Sequence, residues 1–418
     1  MEREESKKLE QDISKSLIEH GPTVKAATKI LAIGIESRAS DIFIEPDPDA
    51  VKVRYRVDGI LYERITLPVS FHAGLVSRVK VMAGLDIAEH RLPQEGRFRM
   101  HFQARDVDFR VSIVPTSIGE KIVMRILDKS RIILDIDKLG FDERTLTLFK
   151  RNLVKPFGML LVCGPTGSGK TTTLYSALNF INSVETNIVT VEDPIEYELS
   201  GINQVSVQDE IGLTFAQALR SILRQDPDII LVGEIRDTET ADIAVKAALT
   251  GHLVLSTIHT NRASGTIPRL LSMGVKPFLL APALNAMIGQ RLVRRICREC
   301  KHEDKLDNET AKHVKEILEK LPSGEIKKLD LTKLKFFKSD GCEVCQGIGY
   351  KGRIGIFETL IMNKDIEKLI LSANLSEYDI EGIAVKKGMV TMLQDGLLKA
   401  LDGITSIEEV FRVAAEKE

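Results

Sequence analysis

Apolar residues follow two different rhythms along the chain, and each rhythm predicts a different kind of structure. Between about residues 22 and 130, helical spacing in Val24–Leu31 precedes two-residue alternation in Val51–Val57 and Val107–Ile113, which is typical of a small α+β domain. From about 146 to 290, short apolar runs alternate with helix-compatible sequence, and the predicted strands are Met159–Cys163, Asn187–Val191, Asp228–Gly233 and His252–Ile258. Buried strands interleaved with helices predict an α/β fold whose parallel sheet is covered on both faces.

These patterns predict six segments along the 418 residues. A Lys-rich stretch from Lys312 to Lys338 is expected to be exposed to solvent. The predicted segments are a linker or docking helix at 1–21, the α+β domain at 22–130, a polar hinge at 131–145, the parallel-sheet core at 146–290, a cysteine-containing insert at 291–354 and a helical C-terminal segment at 355–418.

Composition and charge indicate a soluble globular protein. Apolar residues make up 43% and charged residues 28% of the chain, and the net charge is −2. A charge so close to zero gives no overall attraction to nucleic acid or to an anionic membrane. The N-terminus carries no apolar signal segment, and no stretch is long and apolar enough to span a bilayer. We therefore expect a cytoplasmic location, which still allows docking onto a membrane protein.

The sequence from Gly164 to Thr171 carries the most specific chemical signal. It matches G-x-x-x-x-G-K-[ST], the phosphate-binding P-loop, and it lies between an apolar run and a helix-compatible segment. Lys170 can reach the β- and γ-phosphates and the Thr171 hydroxyl can ligate Mg²⁺, whereas the alternative is a glycine-rich turn with an incidental lysine. The predicted contacts of a bound nucleoside triphosphate are Gly164, Pro165, Thr166, Gly167, Ser168, Gly169, Lys170, Thr171 and Thr172.

Acidic residues follow two further predicted strands. One apolar run ends at Gly233, where a second nucleotide motif usually has Asp, and Glu234 comes next. We predict that Glu234 orients and activates the attacking water; contact with Mg²⁺ through a water is the alternative. Glu192, Asp193 and Glu196 follow another strand. One of the three can act as base or complete the metal shell, unless they are an acid cluster at a helix N-terminus.

A histidine follows the fourth predicted strand of the core. His259 lies among the polar residues after this strand, and we predict that it senses the γ-phosphate. A structural histidine is the alternative, because a lone histidine is often structural.

Four of the five cysteines form two closely spaced pairs. The fifth, Cys163, stands alone before the P-loop and is expected to be buried. A reducing compartment argues against disulfides, and two such pairs are a recognised pattern for tetrahedral Zn²⁺. The gap of residues 301–341 between the pairs is longer than usual, and a redox pair or unrelated thiols are the alternatives. The predicted zinc ligands are Cys297, Cys300, Cys342 and Cys345.

The order of these motifs closely resembles the secretion ATPase superfamily, in which the four core segments are known as Walker A, Asp box, Walker B and His box. The corresponding segments are Gly164–Thr171, Glu192–Glu196, Leu231–Asp237 and Gly251–Thr260. The N-terminal part also agrees, in Arg38–Glu45, Arg54–Gly59, Arg91–Arg97 and Arg110–Ser112. The resemblance runs from about residue 22 to the end.

The resemblance implies a PAS-like N-terminal domain hinged to a RecA-like ATPase domain that uses ATP and Mg²⁺. It further implies a homo-oligomer, in the family a hexameric motor, that acts through inner-membrane platform and adaptor proteins and associates with the membrane through them. Arg110 and Arg125 resemble the family arginines that move onto the phosphates; polar-face residues of an alternating strand are the alternative. The four-cysteine module resembles that of pilus and pseudopilus assembly motors, which retraction motors lack.

Two departures from the family pattern concern Phe43 and the start of the chain. The family often has His where this chain has Phe43, which bears little on catalysis. No large domain precedes residue 22, whereas in relatives a leading domain binds the inner-membrane partner. The resemblance therefore does not predict how this chain would dock onto an inner-membrane partner.

Two other functions remain open from the residues. In a RecA-like nucleic-acid motor, a helicase or translocase, four arginines near the first cysteine pair would form a phosphate track, although such arginines are more often a solvated face or a subunit contact. These residues are Arg291, Arg294, Arg295 and Arg298. In a nucleotide-gated scaffold, the missing Asp before Glu234 would reflect binding without turnover.

Overall fold

The computed structural model describes residues 21–128, 130, 133–327, 329–331, 333–372 and 375–415. The predicted linker or docking helix at 1–21 lies outside the described residues, apart from Gly21. The chain forms two compact units that divide between residues 132 and 133. None of the helices in the described ranges has both the length and the apolar character that a membrane span needs.

The first unit is a six-stranded antiparallel sheet that shares one core with two helices. Its strand order is β3-β2-β1-β6-β5-β4. Its elements are α1 (Pro22–Glu36), β1 (Ala39–Pro46), β2 (Ala50–Val57), β3 (Ile60–Pro68), α2 (His72–Ala83), β4 (Gln94–Phe102), β5 (Arg105–Thr116) and β6 (Gly119–Leu127).

Alternation along the strands explains why this sheet has one apolar and one charged face. In β2, Val51, Val53 and Tyr55 are buried against the helices, and the residues between them point to the other face. The predicted helix at Val24–Leu31 lies within α1, and the predicted alternating strands lie within β2 and β5. The α+β character that the sequence predicts for this region is confirmed.

The second unit is built on a seven-stranded sheet in the order β15-β12-β7-β11-β10-β8-β9, and every neighbouring pair except β12–β15 is parallel. Its central elements are α3 (Glu143–Leu153), β7 (Gly158–Cys163), α4 (Lys170–Ile181), β8 (Ile188–Glu192), β9 (Asn203–Ser206), α5 (Phe215–Ile222), β10 (Ile229–Val232), α6 (Thr238–Leu249), β11 (Leu253–Ile258), α7 (Thr266–Ser272), α8 (Pro277–Ala283) and β12 (Leu284–Ile296). The four predicted core strands and the parallel sheet are confirmed, because β7, β8, β10 and β11 are fully buried and covered on both faces.

The remaining elements complete this sheet and its surroundings. They are β13 (Lys301–Asp304), α9 (Asn308–Glu319), α10 (Ser323–Ile326), β14 (Phe336–Ser339), β15 (Tyr350–Ile361), α11 (Lys364–Leu371), α12 (Glu377–Lys386), α13 (Met392–Leu401) and α14 (Ile407–Ala414). The C-terminal segment is thus helical from residue 364 onward, as the sequence predicts.

Two details of the predicted organisation are wrong. The segment predicted as helical from residue 355 begins inside β15, which pairs with β12 and extends the core sheet beyond the predicted boundary at 290. Residues 355–360 are all buried, but Glu358 and Thr359 interrupt the apolar run, so the segment shows neither the alternation nor the continuous apolar run that marks a strand. The stretch from Lys312 to Lys338 is not uniformly exposed, because α9 buries Val314 and Leu318 in a cluster with α13 and α14.

The described part of the predicted hinge at 131–145 packs on the second unit. Ile136 and Leu139 are buried in the same core as Phe149 of α3. Phe141 stacks on Phe357 of β15, with ring centroids 3.7 Å apart. Residues 133–145 therefore extend the second unit.

Candidate functional site

The predicted site residues of the second unit meet at one edge of its sheet. The P-loop follows β7, Glu234 follows β10, Asp193 follows β8 and His259 follows β11. These strands are parallel neighbours in the order β7-β11-β10-β8. Their carboxyl ends therefore form a single edge, which is where α/β sheets bind ligands.

The P-loop has the backbone of an anion-binding turn. Gly167 and Gly169 adopt φ values of 79° and 89°, in the left-handed region that favours glycine. Lys170 is the first residue of α4, and its Nζ donates to the carbonyl oxygens of Gly164 (2.9 Å) and Pro165 (3.1 Å). Burial lowers the pKa of Lys170. The ammonium group thus lies where it can exchange carbonyl partners for phosphate oxygens at a helix N-terminus.

A residue that sequence reasoning missed, Gln290 of β12, braces this loop. Its Nε2 donates to the carbonyl oxygen of Ser168 (2.9 Å), and its Oε1 accepts from the Thr173 hydroxyl (2.7 Å). A Cβ atom on Gly169 would lie 2.9 Å from this Nε2. The sequence does not single it out, because Gln290 is one of several polar residues in β12 and nothing local reveals that β12 runs beside β7.

Glu234 lies between a cation and His259. One carboxylate oxygen is 3.2 Å from His259 Nε2, and the other binds Arg236. Arg236 also approaches Asp193 (3.7 Å), and its hydrogen bond to Glu234 raises its pKa. The Glu234 side chain is 12% exposed, whereas that of His259 is 50% exposed. The largely buried Glu234 carboxylate thus holds the more exposed His259 imidazole near the P-loop.

Glu192, the last residue of β8, and Asp193, the next residue, lie in different surroundings. Glu192 is buried: one oxygen accepts from the Thr190 hydroxyl (2.6 Å) and Gln204 Nε2 (3.1 Å), and the other from the Tyr175 hydroxyl. Burial, reinforced by Glu192, raises the pKa of Tyr175. The Glu196 backbone N–H also donates to the Tyr175 oxygen (3.3 Å). Side-chain donors occupy both oxygens of Glu192, whereas Asp193 faces Arg236.

The two arginines named from the resemblance lie on the sheet of the first unit. Arg110 of β5 and Arg125 of β6 are direct register partners. Arg125 Nε is 3.2 Å from a carboxylate oxygen of Asp41, which also has Arg56 Nε at 3.5 Å. Arg97 is the partner of Arg110 on the other side. This row across the charged face is rich in guanidinium groups, which suit phosphate oxygens.

The four paired cysteines converge into one cluster. Their ligand atoms all lie within 4.8 Å of one another, and the closest Sγ–Sγ distances are 3.7, 3.8 and 3.9 Å. A tetrahedral ion with Zn–S bonds of about 2.3 Å places its sulfur atoms about 3.8 Å apart. The cluster, which could therefore hold a metal ion, consists of Cys297, Cys300, Cys342 and Cys345.

Backbone groups favour the thiolate form of one member of the cluster, Cys345, whereas burial raises the pKa of Cys300. Burial alone would raise the pKa of Cys345, but N–H groups of Cys342 (3.1 Å) and Gly349 (3.2 Å) donate to its sulfur and lower the pKa to about 7. The backbone N–H of Cys297 donates to the Gly349 carbonyl oxygen (2.9 Å) and so joins the two halves of the module. Donors to sulfur are the usual surroundings of a metal-binding thiolate.

The basic cluster beside the first cysteine pair does not form a track of available arginines. Arg291 donates to the Val413 carbonyl oxygen (2.6 Å), and Arg294 is bound to Glu409 (2.8 Å) and lies over the Tyr350 ring. Two of the four arginines are thus used to attach β12 to the C-terminal helices, which weakens the nucleic-acid alternative.

Comparisons with known proteins agree with the motif order. The family model described as type II/IV secretion system protein matches residues 16–412. Among curated relatives, the type IV pilus assembly ATPase PilB of Myxococcus xanthus is 48% identical over 390 residues, which is 93% of this chain and 67% of the relative. The type II secretion system protein E of Xanthomonas campestris is 47% identical over 403 residues, 96% of this chain and 69% of the relative.

Solved structures show the same fold. The pilus retraction motor PilT with bound ADP has a TM-score of 0.58 and 26% identity and covers 93% of this chain and 96% of its own. The Legionella pneumophila ATPase DotB has a TM-score of 0.66 at 19% identity, with coverage of 93% and 95%. The chain thus has the RecA-like ATPase fold preceded by a PAS-like domain, with a cysteine insert that could bind zinc and a helical C-terminal segment.

Proposed function

Because the chain belongs to the type II/IV secretion system protein family, we propose that it hydrolyses ATP and that this hydrolysis powers pilus assembly or protein secretion. One observation carries the proposal: a P-loop and the Glu234–His259 pair lie on neighbouring strand ends of one sheet edge. The names of the relatives, which include both pilus assembly ATPases and secretion proteins, support this class of activity.

Residues at the sheet edge take distinct roles. Gly164–Thr172 form the phosphate cradle, in which Lys170 leaves its carbonyl partners and contacts the β- and γ-phosphates. Thr171 is placed to hold Mg²⁺, which when bound neutralises charge that develops on the phosphates. Glu234 orients the attacking water and accepts its proton, and His259 contacts the γ-phosphate.

Of the three acids at the end of β8 and just after it, we assign one to positioning and keep two as candidates for contact with the metal shell or with water. Glu192 fixes the end of β8 through Tyr175 and Thr190, because both of its oxygens already accept hydrogen bonds. Asp193 and Glu196 remain the candidates for contacts with the metal shell or with water. We prefer Glu234 to Glu192 as the base, because the Glu234 carboxylate is partly exposed and lies beside His259, whereas Glu192 is buried.

In this proposal, residues of the first unit and assembly into an oligomer couple ATP hydrolysis to movement. We expect Arg110 and Arg125 to bind nucleotide phosphates and so link the presence of the γ-phosphate to the angle between the two units. In the proposed hexamer, successive hydrolysis events would rotate these units and turn an inner-membrane platform protein, with adaptor proteins holding the motor on the cytoplasmic face. Direct binding of nucleic acid is not part of this function.

The cysteine cluster has a structural role in this proposal. Four thiolates with one Zn²⁺ per chain leave no open coordination position, as in structural rather than catalytic sites. The metal would join the strand end at Cys297 to the turn that precedes β15.

The proposal is tested by measuring ATP hydrolysis by the purified oligomeric protein with Mg²⁺. Lys170→Ala is expected to abolish turnover, and Glu234→Gln is expected to lower kcat at least about a hundredfold while ATP still binds. Lys246→Ala is the matched control, because Lys246 is an exposed lysine paired with Asp242 on α6. Turnover in Lys170→Ala close to that of the control would disprove the site, and a wild type that binds ATP without turnover would favour the scaffold.

A further inference from the structure

The loop that carries His259 is held by carboxylates from the C-terminal part of the chain. The Ala263 backbone N–H donates to Glu358 Oε1 of β15 (2.7 Å), and Arg262 pairs with Glu381 of α12. The Ser264 hydroxyl donates to a carboxylate oxygen of Glu377, also on α12 (3.3 Å). Residues 259–265 therefore depend on partners about 95–119 positions further along the chain.

Glu358 is the buried member of this set and joins two places. While Oε1 accepts from Ala263, Oε2 faces the backbone N–H of Met392 (3.3 Å), the first residue of α13. Burial raises the pKa of Glu358, and the two N–H groups act against that rise. Two N–H donors require an acceptor at both oxygens, which a carboxylate supplies and an amide does not.

The shape of the sheet keeps room for this carboxylate. Gly289 of β12 pairs with Cys163 at the end of β7 on one side and with Glu358 on the other. A Cβ atom on Gly289 would lie 2.7 Å from Glu358 Cγ and 3.1 Å from the Ala263 nitrogen. The strand that leads into the P-loop, the carboxylate and the His259 loop thus meet around a position that only glycine fits.

We propose that Glu358 is a positioning residue of the nucleotide site, which fixes the 259–265 loop against β12 and ties its position to the start of α13. This inference rests on the proposed function in assigning His259 to the γ-phosphate. It extends that function, because it makes the packing of the C-terminal helices a determinant of turnover. A shift of about 1 Å in a reacting group can cost about a hundredfold in rate.

Hydrogen–deuterium exchange on the 418-residue protein tests the geometry without any assumption about catalysis. Glu358→Gln is expected to speed exchange in peptides covering residues 259–265 at least about tenfold. Asp228→Asn is the matched control, since Asp228 is another carboxylate of the second unit that accepts a backbone N–H, from Asn187 (2.7 Å), but it precedes β10 and so lies at the opposite end of the sheet from the loop. Equal exchange of this loop in both variants would overturn the proposal.

Kinetics test the effect on the site. In Glu358→Gln, kcat for ATP is expected to fall about tenfold to a hundredfold while KM changes less than about threefold, because the P-loop is untouched. Gly289→Ala, which keeps the carboxylate but crowds it, is expected to give the same split, whereas Asp228→Asn is expected to keep the wild-type kcat. Faster loop exchange with unchanged kcat would overturn the positioning role. A wild type without turnover would refute the proposed function instead, and the exchange result would still decide the geometry.

Discussion

The stability of the C-terminal helices should depend strongly on Glu409. This residue of α14 has no exposed side-chain surface, and its carboxylate accepts from the Arg294 backbone N–H (3.0 Å) and side-chain Nη2 (2.8 Å). Arg412 donates to the same carboxylate from Nε (2.8 Å) and Nη2 (2.5 Å). The Arg294 guanidinium is itself only 14% exposed and lies 4.0 Å from the centre of the Tyr350 ring. The Glu409 carboxylate thus connects α14 to β12 through Arg294.

Glu409→Gln keeps the volume and removes the charge. Arg294 would then lose this carboxylate while it stays buried, and breaking a buried ion pair by removing one partner typically costs about 3–5 kcal/mol. The pair with Arg412 adds at most about 1 kcal/mol, because the Arg412 side chain is 44% exposed and solvent screens it. We therefore expect the free energy of unfolding of the second unit to fall by about 3–5 kcal/mol.

Urea denaturation followed by circular dichroism measures this loss. Arg412→Ala is the control, with an expected loss of at most about 1 kcal/mol. A double variant that replaces Arg294 and Glu409 by Leu should recover much of the stability, since a buried pair is often replaceable by apolar residues. A loss below about 1 kcal/mol in Glu409→Gln would refute the reasoning, because the carboxylate would then contribute no more than an exposed pair.

The same carboxylate predicts a dependence on pH. Burial alone would raise the pKa of Glu409, but Arg412 and Arg294 hold it below the usual value of 4.5. A carboxyl group whose pKa is lower in the folded state stabilises the fold above its unfolded pKa and loses that contribution as the pH falls through the folded pKa. The difference in stability between wild type and Glu409→Gln should therefore be full above about pH 5 and shrink on further acidification.

Three further substitutions give separate outcomes. Tyr175→Phe leaves a buried oxygen of Glu192 without its hydroxyl donor, so the free energy of unfolding should fall by about 1–3 kcal/mol in thermal or urea melts, and an unchanged value would contradict the network. Cys345→Ser should lower the zinc content measured by elemental analysis from about one per chain to near zero and lower the melting temperature, whereas a zinc-free wild type would exclude the metal. Gly169→Ala forces a side chain into a left-handed position beside Gln290, and ATP affinity measured by calorimetry should weaken about tenfold, whereas wild-type affinity would show that the loop tolerates the strain.

Local sequence predicts the central strands, because each is a short apolar run that is buried whatever its neighbours are. The strand β15 was missed because Glu358 and Thr359 interrupt its apolar run and because its partner β12 lies more than 50 residues earlier. The buried apolar face of α9 was obscured by the lysines that share its sequence. The periodicity of apolar residues does not predict which distant segments pair or pack together in the fold.

Some residues of the site can also be predicted from local sequence, whereas others depend on contacts between distant segments. The P-loop and the cysteine pairs are contiguous motifs whose chemistry fixes their spacing, and the structure forms the loop and brings the cysteines together. Glu192 is next to Asp193 in the sequence, but it is buried and accepts hydrogen bonds from Tyr175 and Gln204. Gln290 and Glu358 were missed because each is one of several polar residues in its strand, and only the fold shows what it contacts.

The most direct test of the proposed nucleotide site is a structure of the protein with Mg²⁺ and a non-hydrolysable ATP analogue. We predict that Lys170 Nζ leaves the carbonyl oxygens of Gly164 and Pro165 for the β- and γ-phosphates. The γ-phosphate should then lie within hydrogen-bonding reach of His259, with a water held by Glu234 in line for attack. Phosphates bound away from the P-loop, or a γ-phosphate that neither Glu234 nor His259 can reach, would contradict the account.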